Sequence, residues 1–322
     1  MFGRWGISAV EPSIMTEISP DSANTPQVVA LSAARLGAAA IVLATIVNAL
    51  WGTNPVALKL ALQGLPPIGA SGIRFTIATI GVAIWLRATG VDLRPRRSEL
   101  PWLAAIGAIF VTQIATFTLG VYWGTASHSS VILNTYPFFV VAFAHFLIPG
   151  DRASFGKAAA LVAAFSGIVV LFAGDWGAWR GTNLLGDLIQ LASAIILGAQ
   201  VVVTKHAVAR AHPGRVVLYE MFAGAAAFVL FSFAFEGLAQ ARPDALSVGA
   251  VVYQGIFIGA LCFSVWTWLI RRYSASLVAI FGFIAPVVGV MLSALVLGEP
   301  LTPALLLSAG LVAIGIVFAN LW

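Results

Sequence analysis

The sequence predicts an all-α integral membrane protein, with ten transmembrane helices arranged as two inverted five-helix repeats. Hydrophobic residues make up 60% of its 322 residues and charged residues only 9%, whereas an ordinary soluble domain is about 25% charged. The apolar residues form runs of the length that crosses about 30 Å of hydrocarbon. A motif that closes the first run recurs 146 residues later, which indicates an internal duplication.

The predicted spans follow one another with short connections. They lie near residues 36–59, 67–87, 100–123, 127–148, 155–173, 184–205, 214–236, 248–270, 274–297 and 303–321. Because backbone polar groups in hydrocarbon must be satisfied internally, these spans are helices. Residues 1–34 are polar and lack a secretory signal, so they are predicted to form a disordered cytoplasmic tail. Translation could start at Met1 or Met15.

The positions of the basic residues predict the orientation in the membrane. With a cytoplasmic N-terminus, 13 of the 17 Lys and Arg residues fall inside and three outside, as the positive-inside rule requires. Both termini are therefore predicted to be cytoplasmic. The net charge of +5 is explained by this topology, which argues against a nucleic-acid partner. The single cysteine, Cys262, excludes an internal disulfide framework and a cysteine-based metal site.

The duplicated motif relates the two halves residue by residue. Gly52, Asn54, Lys59 and Arg74 correspond to Gly198, Gln200, Lys205 and Glu220, and Pro137 corresponds to Pro286 at an offset of 149. The predicted repeats are residues 35–176 and 182–322. Because each repeat holds an odd number of spans, the two cross the membrane in opposite directions. Inverted repeats of this kind are typical of secondary transporters that bind substrate near the midplane.

The motifs resemble the drug/metabolite transporter superfamily in its ten-helix EamA form. The resemblance rests on Trp51-Gly52-x-Asn54-Pro55 with Lys59, on Arg74-Phe75, on the Ala126–Phe138 run, and on Pro149-Gly150-Asp151 and Leu297-Gly298-Glu299-Pro300. It covers about residues 35–322. It implies a carrier of the bacterial inner membrane, usually an exporter of amino acids or related metabolites. In the family the cavity is lined mainly by the first, third and fourth helices of each half, and no cofactor is expected.

Polar residues inside spans are rare and expensive, so each is a candidate for the site. Helical spacing aligns Gln113 with Thr116, places Asn134 on a polar stripe of the fourth span, aligns Gln200 with Ser193, and aligns Tyr253 with Trp268. The alternative is that these side chains only bond neighbouring helices. The predicted substrate-binding set is Trp51, Asn54, Arg74, Gln113, Thr116, Asn134, Gln200, Tyr253 and Trp268.

Two ionisable residues lie deep in spans, each seven residues after a proline. Arg74 could attract an anionic group of the substrate, and Glu220 could carry a coupling proton if burial favours its neutral form. Pro55, Pro137 and Pro286 each remove a backbone donor and are predicted hinges. Structural roles remain open for all five residues.

The predicted function is secondary active transport of a small molecule by alternating access, in a monomer or weak homodimer within the lipid bilayer. A passive channel or facilitator is the main alternative. A remote alternative is an intramembrane serine protease using Ser71 of Gly69-Ala70-Ser71-Gly72. No zinc-protease, P-loop or dinucleotide motif is present in the sequence, so an enzyme is not expected.

Overall fold

The computed structural model describes residues 37–147, 182–236, 241–272 and 280–321, with single helical residues between 162 and 173. All of them belong to one unit, Ala33–Trp322. Every regular element in the described residues is helical. The predicted tail at residues 1–34, most of the predicted span at 155–173, and the Pro149–Asp151 motif lie outside these residues.

The first half contains five described helices. They are α1 (Ala38–Ala61), α2 (Pro67–Ala88), α3 (Leu100–Trp123), α4 (Ala126–Leu133) and α5 (Tyr136–Leu147). Pro67 opens α2 at the first helical position, where its missing N–H has no intrahelical partner to lose. The predicted fourth span is interrupted at Asn134 and Thr135, which separate α4 from α5.

The second half contains α6 (Thr182–Val208), α7 (Pro213–Phe231), α8 (Ala245–Tyr253), α9 (Phe263–Arg272), α10 (Ile284–Leu297) and α11 (Pro303–Leu321). A π-helix, Ser232–Glu236, extends α7, and a second one, Gln254–Cys262, joins α8 to α9. A 3₁₀-helix, Ile280–Phe283, precedes α10.

Length and composition fit a multi-pass membrane protein. Among the described residues, six helices are long and apolar enough to cross a membrane: Ala38–Ala61, Pro67–Ala88, Leu100–Trp123, Leu184–Val208, Pro213–Glu236 and Ala245–Leu269. Ile284–Leu297 and Pro303–Gly315 are shorter and equally apolar in character. Many large apolar side chains are exposed, such as Ile84, Leu230 and Phe233, as expected for surfaces that contact lipid. The helical membrane class is confirmed, whereas the count of ten spans stays a prediction.

The helix ends define two ends of the bundle. At the Lys59 end, the last residues of α1 meet the start of α8, where a Cβ on Gly64 would lie 2.8 Å from the Arg242 carbonyl oxygen. At the Lys205 end, the start of α3 meets the end of α6, and Trp102 stacks on His206 with ring centroids 6.0 Å apart. These two names are used below for the two ends.

The equivalent helices α2 and α7 pack against each other in antiparallel fashion. The Glu236 carboxylate, after α7, accepts hydrogen bonds from the backbone N–H groups of Ile68 and Gly69 at the start of α2. At the other end, Arg215 at the start of α7 donates to Glu99, which follows α2, at 2.6 and 3.0 Å. Each helix therefore begins where the other ends.

The main apolar cluster lies between α2, α3 and α7. Phe75 packs edge-on against Phe110 at 5.0 Å between ring centroids and stacks on Phe228 at 6.0 Å. Val217 and Met221 complete this cluster, with 1% and 0% of their surface exposed. The cluster fixes the two helices that carry Arg74 and Glu220.

Candidate functional site

A cavity of about 170 Å³ lies in the middle of the bundle. Helices from both halves contribute to its walls. Its polar lining comprises Asn54, Arg74, Gln113, Asn134, Tyr136, Gln200, Thr204, Lys205, Glu220, Gln254 and Thr267, and its aromatic lining comprises Trp51, Phe75, Phe117, Phe263 and Trp266. Six residues of the predicted substrate-binding set, Trp51, Asn54, Arg74, Gln113, Asn134 and Gln200, are brought together here with the predicted coupling residue Glu220.

Arg74 supplies a buried positive charge to the cavity. It lies seven residues into α2 and is 3% exposed. Its Nε and Nη2 have no hydrogen-bond partner in the described part of the chain. The guanidinium carbon lies 4.6 Å from the Phe75 ring centroid and 5.9 Å from that of Phe117. Aromatic faces attract a cation but accept no conventional hydrogen bonds, so the guanidinium retains donors for an anionic group.

Glu220 occupies the equivalent position on α7 and is also 3% exposed. Gln200 Nε2 donates a hydrogen bond of 3.4 Å to the Oε1 atom of Glu220. The Oε1 atom of Gln200 has no partner in the described residues. Because α2 and α7 begin at opposite ends, Arg74 and Glu220 each lie about 10 Å from a different end of the bundle. The cavity thus carries a basic and an acidic side chain at different depths.

Gln254 is a cavity residue that the sequence analysis missed. Its Nε2 donates to Asn54 Oδ1 at 2.8 Å, and its own Oε1 is buried without a partner in the described residues. α-Helical spacing along this span selects Tyr253 and Trp268 instead. The π-helix at Gln254–Cys262 turns more widely than an α-helix, so it directs Gln254, Ile258 and Gly259 into the cavity. The criterion of an amide inside a span would have selected Gln254.

Three residues of the predicted set lie outside the lining. The Thr116 hydroxyl donates to backbone oxygens of its own helix, at Thr112 and Gln113. Tyr253 bonds the Thr53 hydroxyl at 2.6 Å, which links α8 to α1. Trp268 is 38% exposed.

The three prolines occupy different positions in their helices. Pro55 lies inside α1 and has no backbone N–H, so it donates no hydrogen bond to the carbonyl oxygen of Trp51. Trp51 is one of the residues that line the cavity. Pro137 is the second residue of α5 and Pro286 the third of α10, where a missing N–H costs little. The break before α5 places Leu133, Asn134 and Tyr136 at the cavity wall.

Aromatic side chains form one wall. Trp51 meets Phe263 edge-to-face, with ring centroids 5.8 Å apart, and meets Trp266 at 5.0 Å. Edge-to-face clusters hold their rings in defined orientations. This wall suits the apolar or aromatic part of a small ligand.

The two ends of the cavity differ. The lining continues along α6 to Thr204 and Lys205, and Lys205 is exposed, so the cavity extends toward the Lys205 end. Toward the Lys59 end, hydrogen bonds connect neighbouring helices. Ser71 pairs with Thr118 at 2.9 Å, and His128 pairs with Asp187 at 2.7 Å. These contacts also place the suggested nucleophile Ser71 beside a hydroxyl group.

Comparison with known proteins identifies the family. The model of the EamA-like transporter family matches residues 38–173 and again residues 184–321. The chain belongs to the EamA-like transporter family. The resemblance inferred from its motifs is thereby confirmed, and the two matches are two copies of the EamA unit.

EamA relatives of similar length are transporters by name. The chain is 27% identical to a probable terminal-alkyne amino-acid exporter of Streptantibioticus cattleyicolor, over 84% of this chain and 89% of the relative. It is 24% identical to a probable amino-acid metabolite efflux pump of Escherichia coli, over 87% and 95%. It is also 24% identical to the uncharacterized transporter YoaV of Bacillus subtilis, over 84% and 92%.

A solved structure shares the fold. A protein crystal structure superposes with a TM-score of 0.67 at 24% identity, covering 88% of this chain and 96% of the other. The EamA family and the relatives with functional names are transporters. This protein is therefore a membrane transporter.

Proposed function

We propose that this transporter is a secondary active exporter of amino acids or closely related metabolites, working by alternating access through the central cavity. The observation that carries the proposal is that one cavity is lined both by Glu220 and by Arg74, whose Nε and Nη2 have no hydrogen-bond partner in the described residues. An amino acid offers a carboxylate for Arg74 and an ammonium group that the Glu220 end attracts. The aromatic wall accommodates its side chain.

The relatives support the substrate class. Two of them are named as an amino-acid exporter and an amino-acid metabolite efflux pump. Export from the cytoplasm is consistent with a cavity that reaches Lys205, because Lys205 lies on the predicted cytoplasmic side. The proposed site consists of Trp51, Asn54, Arg74, Gln113, Asn134, Gln200 and Gln254, with Glu220 as the proton-coupling residue.

The mechanism requires two five-helix repeats of opposite orientation, residues 35–176 and 182–322, in the inner membrane with cytoplasmic termini. The antiparallel contact of α2 with α7 supports this arrangement. Pro55 and the breaks beside Pro137 and Pro286 would allow helix segments to tilt around the cavity. In the inverted arrangement, one set of tilts closes the Lys59 end and the equivalent set closes the Lys205 end.

A thermal-shift screen tests ligand binding. Purified protein should be stabilised by amino acids with apolar or aromatic side chains, because a ligand that binds the folded state raises its apparent stability. Phenylalanine and its carboxyl-free analogue phenylalaninol form an informative pair. Stabilisation by sugars or nucleobases, with none by amino acids, would exclude the proposed class.

Counterflow distinguishes a carrier from a channel. Proteoliposomes loaded with unlabelled phenylalanine should accumulate tritiated phenylalanine transiently, whereas a passive channel gives no such stimulation.

The inverted topology is tested separately with single cysteines at Lys59 and Lys205. The native Cys262 is fully buried and gives little background. An impermeant maleimide should label the two positions from opposite sides, and labelling from one side would refute the inverted arrangement.

A further inference from the structure

Buried polar atoms without a partner gather at two places in the described residues. Four of these nine atoms belong to Arg74, Gln200 and Gln254 in the cavity, four belong to Ser129, Asp187 and Gln190, and one belongs to Ser308. Each such atom costs about 1–3 kcal/mol. The second group lies outside the cavity lining, so substrate binding there does not explain it.

The second group includes a carboxylate oxygen of a buried histidine–carboxylate pair. His128, in the first turn of α4, bonds through Nδ1 to Asp187 Oδ2 on α6 at 2.7 Å. The two residues are 9% and 4% exposed. The other carboxylate oxygen of Asp187 has no partner in the described residues. Because the pair joins the first turn of α4 to the first turns of α6, it lies at the Lys59 end.

Gln190 lies one turn further along α6 on the same face. It is fully buried, and neither its oxygen nor its nitrogen has a partner in the part of the chain described. It packs against Gly120, where a Cβ would lie 3.1 Å from Gln190 Cα. The close approach of α3 to α6 thus encloses the amide beside the pair.

The charged groups around the pair are few in the described ranges. Glu299 accepts from the backbone N–H groups of Ala126 and Ser127 and from the Ser127 hydroxyl. Lys59 donates to the Tyr122 carbonyl at 3.3 Å and is attracted to Glu299. The adjoining part of α3 contributes the glycines Gly120 and Gly124. The opposite charges of Glu299 and Lys59 cancel, so a proton taken up by the His128–Asp187 pair adds a net positive charge at this place.

Polar side chains of α6 lead from the pair to Ser193, beyond which residues 194–199 are apolar or glycine up to Gln200. Ser193, one turn beyond Gln190, accepts from Gln113 Nε2 at 3.0 Å, and Gln113 lines the cavity. Gln200 then donates to Glu220. The path from Asp187 to Gln200 covers 13 residues, or about 20 Å at 1.5 Å per residue.

We propose that the His128–Asp187 pair is a proton-binding site, through which protons from the Lys59 side reach the cavity beside Gln190 and Ser193 and then Glu220 in its wall. This proposal rests on the proposed proton-coupled carrier. The pair takes up one proton from the solution and forms no other bond. It releases the same proton toward Glu220 in exchange for a substrate that moves the opposite way.

The test separates coupling from transport itself. In proteoliposomes, wild-type protein, Asp187→Asn and His128→Gln are compared for counterflow of tritiated phenylalanine and for its accumulation driven by a pH gradient. Counterflow exchanges substrate without net proton movement. We expect both variants to keep counterflow within about twofold of wild type and to lose gradient-driven accumulation at least tenfold. Asp244→Asn is the matched control, because Asp244 caps α8 at the same end of the bundle.

A second measurement needs no substrate. Infrared difference spectra of purified protein between acidic and neutral buffer should contain a protonated-carboxyl band or an imidazolium band that Asp187→Asn and His128→Gln alter together. Spectra unchanged by both substitutions would overturn the proposal. The proposal would also be overturned if both variants kept gradient-driven accumulation, or if they lost counterflow together with gradient-driven accumulation. Wild-type protein without counterflow would instead refute the carrier, while the infrared result still decides whether the pair binds protons.

Discussion

Gly52 of α1 lies directly against Val288 of α10, and its duplicate Gly198 of α6 lies in the same way against Phe139 of α5. A Cβ on Gly52 would lie 2.9 Å from Val288 Cβ, and one on Gly198 would lie 2.6 Å from Phe139 Cβ. The two glycines are 146 residues apart, and Phe139 and Val288 are 149 residues apart. These are the two offsets that relate the first copy of the repeat to the second in the sequence. Each repeat therefore places its glycine against the same position of the other repeat, as an internal twofold relationship requires.

Alanine at Gly52 should destabilise the protein. The new Cβ would lie 2.6 Å from the Ala285 carbonyl oxygen, and overpacking of this kind costs about 1–3 kcal/mol. Gly198→Ala should have a similar effect, since its new Cβ meets Phe139 and Val140. The unfolding temperature in detergent measures both variants.

Gly310→Ala is the control for this pair. Gly310 lies in α11 and has open space around its missing Cβ, so alanine should leave stability unchanged or raise it by about 0.5–1 kcal/mol. Equal unfolding temperatures for Gly52→Ala and Gly310→Ala would mean that the crossing of α1 and α10 is looser than described.

Arg74→Gln should remove the preference for a carboxylate. Charged hydrogen bonds contribute about 1.5–3 kcal/mol, which corresponds to a loss of about tenfold to a hundredfold in phenylalanine affinity. Calorimetry of phenylalanine and phenylalaninol should therefore give a large difference for wild type and a small one for Arg74→Gln. Arg87→Gln, near the exposed end of the same helix, should keep the wild-type difference. A full preference for phenylalanine in Arg74→Gln would place the carboxylate elsewhere.

The sequence predicted the helical membrane class and the family, and both are confirmed. Hydrophobicity was enough to predict the helical membrane class, because a backbone in lipid must have all its hydrogen bonds satisfied internally, as in a helix or a closed barrel. The predicted spans are helical where they fall within the described residues, although the fourth is interrupted at Asn134 and Thr135 and the eighth contains a π-helix. The starts at Pro67 and Pro213 agree with the prolines that open α2 and α7. The inverted arrangement and the repeat boundaries stay predictions.

The site was less accessible to prediction than the helices. Arg74, Gln113 and Gln200 could be selected because polar residues in spans are few. Gln254 and the pair of His128 with Asp187 were missed for physical reasons. A π-helix changes the angular spacing that selected Tyr253, and single-sequence periodicity carries no signal for it. A hydrogen bond between residues 59 positions apart depends on tertiary packing, which spacing along one helix does not encode.

Glu220→Gln should abolish the pH-dependence of transport. The substituted amide keeps the shape of the carboxyl group and can still bond Gln200, but it cannot take up a proton. Counterflow should persist at a higher phenylalanine concentration, because the amide attracts the ammonium group less, while accumulation driven by a pH gradient falls at least tenfold. Gln200→Glu, which adds a second carboxylate beside Glu220, should change the pH profile rather than remove it. Transport by Glu220→Gln with an unaltered pH profile would eliminate Glu220 as the coupling residue.

Acid should weaken the contact between Glu99 and Arg215 at the Lys205 end. Burial alone raises the pKa of the Glu99 carboxyl, but hydrogen bonds from Arg215 and the Arg96 backbone outweigh it, so the pKa falls below its usual value. A depressed carboxyl pKa stabilises the folded state above the unfolded pKa of about 4.3, and this contribution disappears as the pH falls through the folded value. The unfolding temperature of the wild-type protein should therefore fall between about pH 5 and pH 3.

Glu99→Gln should remove this particular acid sensitivity at a cost in stability near neutral pH. Loss of the two charged hydrogen bonds from Arg215 should destabilise the variant by about 1.5–3 kcal/mol at pH 7. Because glutamine has no proton to gain, the difference between variant and wild type should narrow as the pH falls. Asp92→Asn is the comparison, since Asp92 lies in the same connection while Arg215 contacts only its backbone oxygen. A constant difference between Glu99→Gln and wild type from pH 7 to pH 3 would show that the contact contributes through packing rather than charge.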